Sequence, residues 1–374
     1  MTHISIFLPR VNDFYRGLLA QMRRGFEAAG VRTSGALTHL GAEAMRDWCG
    51  AHRPDAIFEM NRPRRDAEFV PRHIKHVCWV VDFNGRPLSH FEGSEVTYLF
   101  SDAWPEHYPH AGLHRWFGPG ACDRDYAFVP HRGEVDASFV GHMPNPWSPA
   151  ELARDLTGVG ACSFGALLPT LEARVRDQYD RLHASEDFMA LAEAACVERC
   201  GHTLMADGAL RYDLTCRLIR HINRCDLTDA VLDAGATVAL FGPDNWTRWP
   251  RYAPHYRGWL AGAAAMRRVY ATSRVNLHEG TGIHFRQMDA MCSGGLLCFR
   301  ETPNDGAEGG IARLFTPNVH YVPFSLDNLG PRLHEVLGDP TRAQTMRAAA
   351  AEAIRSGHTW RHRAQTVLAD LGAV

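Results

Sequence analysis

The sequence predicts an α/β protein built on doubly wound parallel sheets. Three observations point there. Runs such as Val77-Cys78-Trp79-Val80-Val81 are continuously apolar, the pattern of a parallel strand covered on both faces. Such runs alternate with helical stretches, the first being Phe14–Ala29, whose Phe14, Leu18, Leu19, Met22 and Phe26 keep a 3.6-residue period up to Gly30. The 374 residues, at roughly 150 per domain, are enough for two hydrophobic cores.

In order, strands are expected at Ile4–Pro9, Pro54–Asn61, His76–Asn84, Val96–Asp102 and His114–Pro119. The pattern pauses over Phe128-Val129-Pro130-His131-Arg132-Gly133 and restarts with Ala137–Gly141. The chain therefore divides into 1–133, 134–350 and a closing helical segment, 351–374. Ser148 to Asp233 reads as several consecutive helices, after which strands resume at Thr237–Phe241, Arg274–Leu277, Gly295–Phe299 and Tyr321–Phe324. The stretch from Leu326 to Leu371 is helical, broken at Gly338-Asp339-Pro340 and Ser356-Gly357.

Composition excludes other classes. Apolar residues make up 45% and charged residues 22%, which is neither disordered, collagen-like nor coiled-coil. A net charge of −2 leaves no electrostatic footprint for nucleic acid. Lys75 is the only lysine; the arginine bias suits bidentate binding of phosphate or carboxylate and equally follows from GC-rich coding. No apolar run approaches a membrane span, and Met1 leads directly into a strand, so a cytoplasmic protein is expected. Peripheral membrane contact and the oligomeric state stay open. The ten cysteines lack framework spacing and read as reduced thiols.

Ligands of open α/β sheets sit beyond the carboxyl ends of the strands. Polar residues there are Asn12 and Asp13, Glu59 and Asn61, Asp82 and Asn84, and Ser101 and Asp102 in the first half. In the second half they are Gly141 and His142, Gly242 and Asp244, His278 and Glu279, and Arg300 and Glu301. Each is also a natural helix cap or turn residue. The densest segment runs from Val275 to Gly295 and reads strand, glycine turn, helix, Gly-Gly stop. Such a helix start offers free N–H groups and a positive dipole end to an anion. Arg286 would add a charge-assisted fork to a diphosphate, and Asp289, one turn on, would accept from ribose hydroxyls. A plain βαβ unit with an Arg–Asp surface pair fits the same spacing.

The segment His284-Phe285-Arg286-Gln287-Met288-Asp289-Ala290-Met291-Cys292-Ser293-Gly294-Gly295 resembles the donor motif of CgeB-like (spore maturation type) glycosyltransferases. That motif reads roughly R-x-F-E-A-M-A-C-G-G. The resemblance extends through Leu314–Asn318 and Leu337–Pro340 to His358-Thr359-Trp360-Arg361-His362-Arg363, and includes Gly118–Asp123 with Pro130 and Ala137–Gly141. It implies a GT-B fold: two Rossmann-like domains facing a central cleft, a nucleotide sugar on the second, and a C-terminal helix crossing back. By motif position Asp289 takes the place of an acidic ribose ligand that is usually Glu, Gly294 and Gly295 the place of glycines that let the backbone approach the donor, and Arg286 that of the motif's Arg. Glu279 lies near the place of an acidic residue that reaches the transferred sugar, at a ten-residue separation from Asp289 that departs from the usual spacing.

Transfer would then need no metal and no cofactor, the leaving diphosphate being held by a helix tip and basic groups. Gly141 and His142 would face it from the other side, with His278 at the preceding strand end, and Gly242 and Trp246 would line the base pocket. Asp82 is the expected general base towards the acceptor, with Asp13 and Asp102 behind it. The acceptor is a protein, glycan or lipid. Asp123-Arg124-Asp125 is read as a turn and not a metal motif, and Cys196, Cys200 and His202 as buried thiols beside a histidine, not a zinc site. The aromatic stripe Trp246, Trp249, Tyr252, Tyr256, Trp259 suits sugar stacking or core packing. A sugar-nucleotide epimerase and a non-catalytic nucleotide-sugar-binding protein are the competing readings of one fold.

Overall fold

A computed structural model describes residues 1–83, 85–130, 133–182, 185–280 and 282–373; Asn84, His131, Arg132 and Thr281 lie outside the described residues. The first sheet begins with β1 (His3–Phe7), followed by α1 (Asp13–Ala28), β2 (Arg32–Ala36), α2 (Ala42–His52), β3 (Ala56–Met60), β4 (Lys75–Val80), β5 (Val96–Leu99), α3 (Trp104–His107) and β6 (Leu113–Trp116). Its order is β2-β1-β3-β4-β5-β6, every pair parallel. The β1, β3 and β5 residues are all buried, as two-sided cover requires.

The second half runs β7 (Val135–Val140), α4 (Pro149–Leu152), α5 (Phe164–Asp177), α6 (Ser185–Cys200), α7 (Gly208–Tyr212), α8 (Leu218–Asp233), β8 (Val238–Phe241), β9 (Tyr256–Gly258), α9 (Gly262–Thr272), β10 (Ser273–His278), α10 (Phe285–Cys292), β11 (Leu297–Arg300), α11 (Ile311–Leu314), β12 (Tyr321–Phe324), α12 (Leu329–Gly338), α13 (Pro340–Gly357) and α14 (Trp360–Ala373). The order of the second sheet is β12-β11-β10-β7-β8-β9. The breaks expected at Gly338-Asp339-Pro340 and Ser356-Gly357 are where α12 gives way to α13 and α13 ends.

Two strands have no counterpart among those expected. β2 is Arg-Thr-Ser-Gly-Ala, with no fully buried residue, and β9 has three residues. Both are edge strands, which lack a neighbour on one side and need no continuous apolar run.

By packing, the chain sorts into two units: Met1–Asp82 with Leu88–Ser138 and Leu260–Val374, and Phe83–Pro87 with Phe139–Trp259. The core of the first includes Tyr98 stacked on Phe117 at 4.2 Å, and Trp79, whose indole N–H donates to the Phe117 carbonyl at 2.9 Å. Within this unit α14 packs along α1. Trp360 is 1% exposed and set edge-on to Trp79, the Tyr98 hydroxyl donates to Asp370 at 2.7 Å, and Lys75 Nζ donates to the Leu371 carbonyl. Gly25 is where Trp360 seats, since a Cβ there would stand 2.3 Å from the Cβ of Trp360. The second unit packs its own core from α5, α6, the segment 213–217 and α8, around Leu171, Ala195, Cys196, Leu214 and Ile222. Among the described residues no helix is long and apolar enough to cross a membrane.

Candidate functional site

In the first unit, the carboxyl end of β4 leads to Asp82. The backbone N–H groups of Val81 and Asp82 both donate to Asn61 Oδ1, at 2.7 and 3.0 Å. Asn61 itself has φ of +61°, a left-handed conformation that asparagine adopts more readily than other residues with a side chain. Asp82 is half-buried, and its charge reaches Tyr15 at the start of α1, whose hydroxyl pKa is raised by burial, with Asp82 adding to it. Asp13 is exposed in the first turn of α1, where Asn12 caps the helix by accepting from Tyr15 N–H. Glu59 is withdrawn from any ligand: it is fully buried, paired with Arg62 and with His76 Nε2 at 3.1 Å. Burial alone would push its carboxyl up, but the hydrogen bonds from His76 and Arg62 outweigh it and hold the group low.

At the end of β5, Asp102 is 8% exposed and its Oδ1 accepts from Ala103 N–H at 2.9 Å and Ser101 hydroxyl at 3.1 Å. The same Oδ1 lies beside Gly282, 3.6 Å from the position of a Cβ there, which brings Asp102 to the turn between β10 and α10. Asp305, after β11, accepts from the Thr302 hydroxyl at 2.8 Å and feels the charge of Asp102. Its carboxyl is raised to about 6, by burial first and then by Asp102 and Glu301. A carboxyl with that value takes or gives a proton near neutrality. Asp305 carries no signal in the sequence; only folding brings it within electrostatic reach of Asp102.

The β10–α10 turn is built as expected, strand, glycines, helix. Gly280 has φ of +79° and a Cβ on it would meet the Arg300 carbonyl at 2.2 Å, so no other residue fits. His278 stacks on Phe299 and its Nδ1 meets Gln287 Nε2 at 2.8 Å. Glu279 and Arg286 are brought together, Nη2 to Oε1 at 3.4 Å.

The helix tip differs from expectation. His284 caps α10, its ring accepting from Arg286 N–H at 3.4 Å, while Gln287 Oε1 accepts from His284 N–H. The N–H of Gln287 donates to the His284 carbonyl at 3.1 Å. Phe285 is 7% exposed, packed on Phe14 at 5.4 Å, Phe100 at 5.5 Å and Trp79 at 5.7 Å. The N–H groups of Arg286 and Gln287 are thus engaged by the chain itself, in a capping box, and the Phe285 ring is turned into aromatic cover.

Asp289 is likewise turned inward. It is 6% exposed and bonded to Tyr126, and burial lifts its carboxyl well above the usual range against the pull of that bond. Ribose would have to displace Tyr126 to reach it. Gly294, at φ +84°, leaves its space to Phe128, and Gly295 to Asn276 Nδ2 and the Ala290 carbonyl. What approaches these glycines is protein.

In the second unit, Gly141, Gly242 and Trp246 tie the ends of β7 and β8. Trp246 Nε1 donates to the Gly141 carbonyl at 2.9 Å, and a Cβ on Gly242, at φ +144°, would stand 2.2 Å from that same carbonyl oxygen. Trp246 is 0% exposed, packed on Phe139 and Tyr252. A base pocket lined by its ring is therefore not formed, since a buried indole needs both the carbonyl and the apolar cover. Of the aromatic stripe, Trp259 is the member left 59% exposed. His142 is exposed and lines a cavity with Arg220, Asn245 and Arg248; desolvation, then Arg224 and Arg220, keep its imidazole below the ordinary range. Arg220 and Arg224 fall within the long helical stretch and Arg248 in the turn after β8, where nothing in the spacing sets them apart.

Asp125 is held by Arg24. Cys196 and Cys200 meet Cys162, and burial raises the Cys162 thiol to about 12. Among the described residues no three His, Cys, Asp or Glu side chains gather as metal ligands.

Residues 220–369 match the model of a family described as glycosyl transferase-like. No curated protein matches the sequence. Among solved structures, Anabaena HepE, determined with UDP and glucose, superposes with a TM-score of 0.53 at 10% identity, covering 100% of both chains. AviGT4, a glycosyltransferase involved in avilamycin A biosynthesis, gives 0.50 at 11% identity, over 99% of this chain and 97% of that one. The chain has the fold of these GT-B glycosyltransferases: two parallel six-stranded sheets with helices.

Proposed function

We propose that the protein transfers a sugar from a nucleotide-sugar donor to a hydroxyl acceptor. The observation that carries this is the family match, which falls on the segment holding Glu279 and Arg286; the GT-B fold is its frame. HepE was solved with UDP and glucose, and a nucleoside diphosphate sugar is the donor class proposed here. The resemblance to CgeB-like enzymes belongs to this reading, as does transfer without a metal.

In the reaction, the bond from the anomeric carbon to the diphosphate oxygen breaks and that oxygen leaves with the electron pair. The acceptor oxygen bonds to the anomeric carbon and its proton passes to a carboxylate. Asp82 is the proposed base, positioned by Asn61. Glu279, set by Arg286, is the carboxylate proposed to face the sugar's developing positive charge.

The burial of Asp289 and the closed α10 tip favour a second reading, a nucleotide-sugar-binding protein without turnover. Thermal-shift measurements against UDP-, GDP-, dTDP- and CMP-linked sugars, followed by assay for free nucleoside diphosphate, separate the two. Stabilisation rising with ligand concentration and slow hydrolysis support transfer. Stabilisation without release supports the binding protein, epimer formation the isomerase, and no response to any donor removes the proposal.

A further inference from the structure

The stretch His358-Thr359-Trp360-Arg361-His362-Arg363, which sugar transfer as proposed leaves without a part, joins α13 to α14 in the first unit. It is anchored on the segment Gly118–Cys122. Ala121 N–H donates to the His358 carbonyl at 2.9 Å, and Trp360 N–H to the Ala121 carbonyl at 3.1 Å. Gly120 permits that approach, because a Cβ there would stand 2.5 Å from the Trp360 nitrogen.

This anchoring takes Arg363 inside. The residue is 7% exposed, its Nε donates to the Gly118 carbonyl at 2.8 Å, and its guanidinium carbon lies 5.5 Å from the centre of the Trp116 ring. Its Nη2 is buried and meets no acceptor. Among the described residues no carboxylate offsets its charge, and burial lowers the guanidinium to about 10. A buried cation without a counter-charge is costly, and a bound anion removes that cost.

Imidazoles gather around the same charge. Burial first, then Arg363, His362 and His320, lower His358 to about 4, so the ring is neutral at pH 7; its Nδ1 is buried without a partner. The Phe315 ring packs between His358, at 4.9 Å, and His320, at 6.1 Å. His320 Nδ1 accepts from Thr316 N–H at 2.8 Å and His362 Nδ1 from Thr359 N–H at 3.2 Å. Each of these rings, when neutral, therefore carries its proton on Nε2, as a donor with no lone pair left for a metal. Arg361 and Arg363 act on His362 as positive charges, against Asp123. Donors thus come from the start of α14, the end of α13 and the segment before β12. Such an arrangement suits a tetrahedral anion with several acceptor oxygens better than a planar carboxylate, which one guanidinium fork satisfies.

We infer that Arg363 Nη2 and His358 Nδ1, with His320 and His362 beside them, bind a phosphate group, as the free ion or as a monoester. This site is separate from the nucleotide-sugar donor proposed above and does not depend on it.

The test is calorimetric titration of the full chain at constant ionic strength with inorganic phosphate, glycerol 3-phosphate and acetate, repeated in the presence of UDP. The same titrations are made on Arg363→Lys and on His358→Leu; the half-buried position of His358 keeps the test decisive if the Arg363 variant does not fold. Phosphate that binds the unmodified chain and binds His358→Leu about 10-fold more weakly supports the site. Glycerol 3-phosphate bound as tightly as phosphate identifies a monoester as the occupant, and phosphate bound alone identifies the free ion. Phosphate bound by a chain that binds no UDP keeps this site while counting against the transferase. An unmodified chain that binds no phosphate, or binds acetate as tightly, overturns the site. So does phosphate affinity unchanged in His358→Leu, or phosphate displaced by UDP.

Discussion

Asp82 and Asp289 show how one residue type takes opposite parts in one unit. Asp82 sits at a strand end, half-exposed, with its turn shaped by Asn61. If it is the base, Asp82→Asn lowers turnover about 10²- to 10⁴-fold and leaves the dissociation constant of the nucleotide sugar unchanged; unaltered turnover in that variant would remove the assignment. Asp289 is interior, and its carboxyl is raised in the folded chain above the ordinary 3.8. Well below pH 3.8 both folded and unfolded chains carry it neutral, so it costs nothing. As pH rises past that value the unfolded chain ionises first, and stability is lost until the folded group ionises too. Asp289→Asn is neutral throughout and still accepts from Tyr126, so its melting point should exceed that of the wild type at pH 8, and the difference should shrink as pH falls towards 3.8 and below. A difference in melting temperature that does not change with pH would count against this burial.

Elements, rather than single groups, set the β10–α10 turn. Its glycines are where expected, and Gly280 makes the reason physical: the turn passes so close to β11 that a methyl group would overlap the Arg300 carbonyl. Gly280→Ala combines that overlap with a positive φ. It should cost about 1–3 kcal/mol, read as a lowered melting midpoint, and should weaken any ligand that depends on Glu279 and Arg286. The cap on α10 is the counterexample. His284 and Gln287 were legible as residues, but a histidine that caps and a phenylalanine that wedges among Phe14, Trp79 and Phe100 come from three separate strands and helices. No spacing within the segment foretells them.

On the scale of the whole chain, the first unit depends on its last helix. Trp360 fills the notch made by Gly25 and Gly120, and Asp370 and the Leu371 carbonyl receive Tyr98 and Lys75. A chain ending at Gly357 should lose cooperative melting of the first unit and expose it to limited proteolysis. Full resistance in the shortened chain would show that α14 is dispensable. The second unit has an independent helical core, and its fragment pattern on proteolysis should be unchanged by that truncation.

The sequence alone determined the alternation of strands and helices, ten of the twelve described strands, the helix breaks at Gly338-Asp339-Pro340 and Ser356-Gly357, and the glycine turn before α10. These follow from local rules: continuous apolar runs for covered strands, a 3.6-residue period for helices, and glycine or proline where the backbone must turn. Tertiary structure alone decided what the polar residues do. It buried Trp246 and Asp289, paired Glu279 with Arg286, brought Asp305 within electrostatic reach of Asp102, and collected Arg217, Arg220 and Arg248 around one cavity. A side chain's charge, exposure and partners depend on residues distant in the chain, and those distances close only on folding.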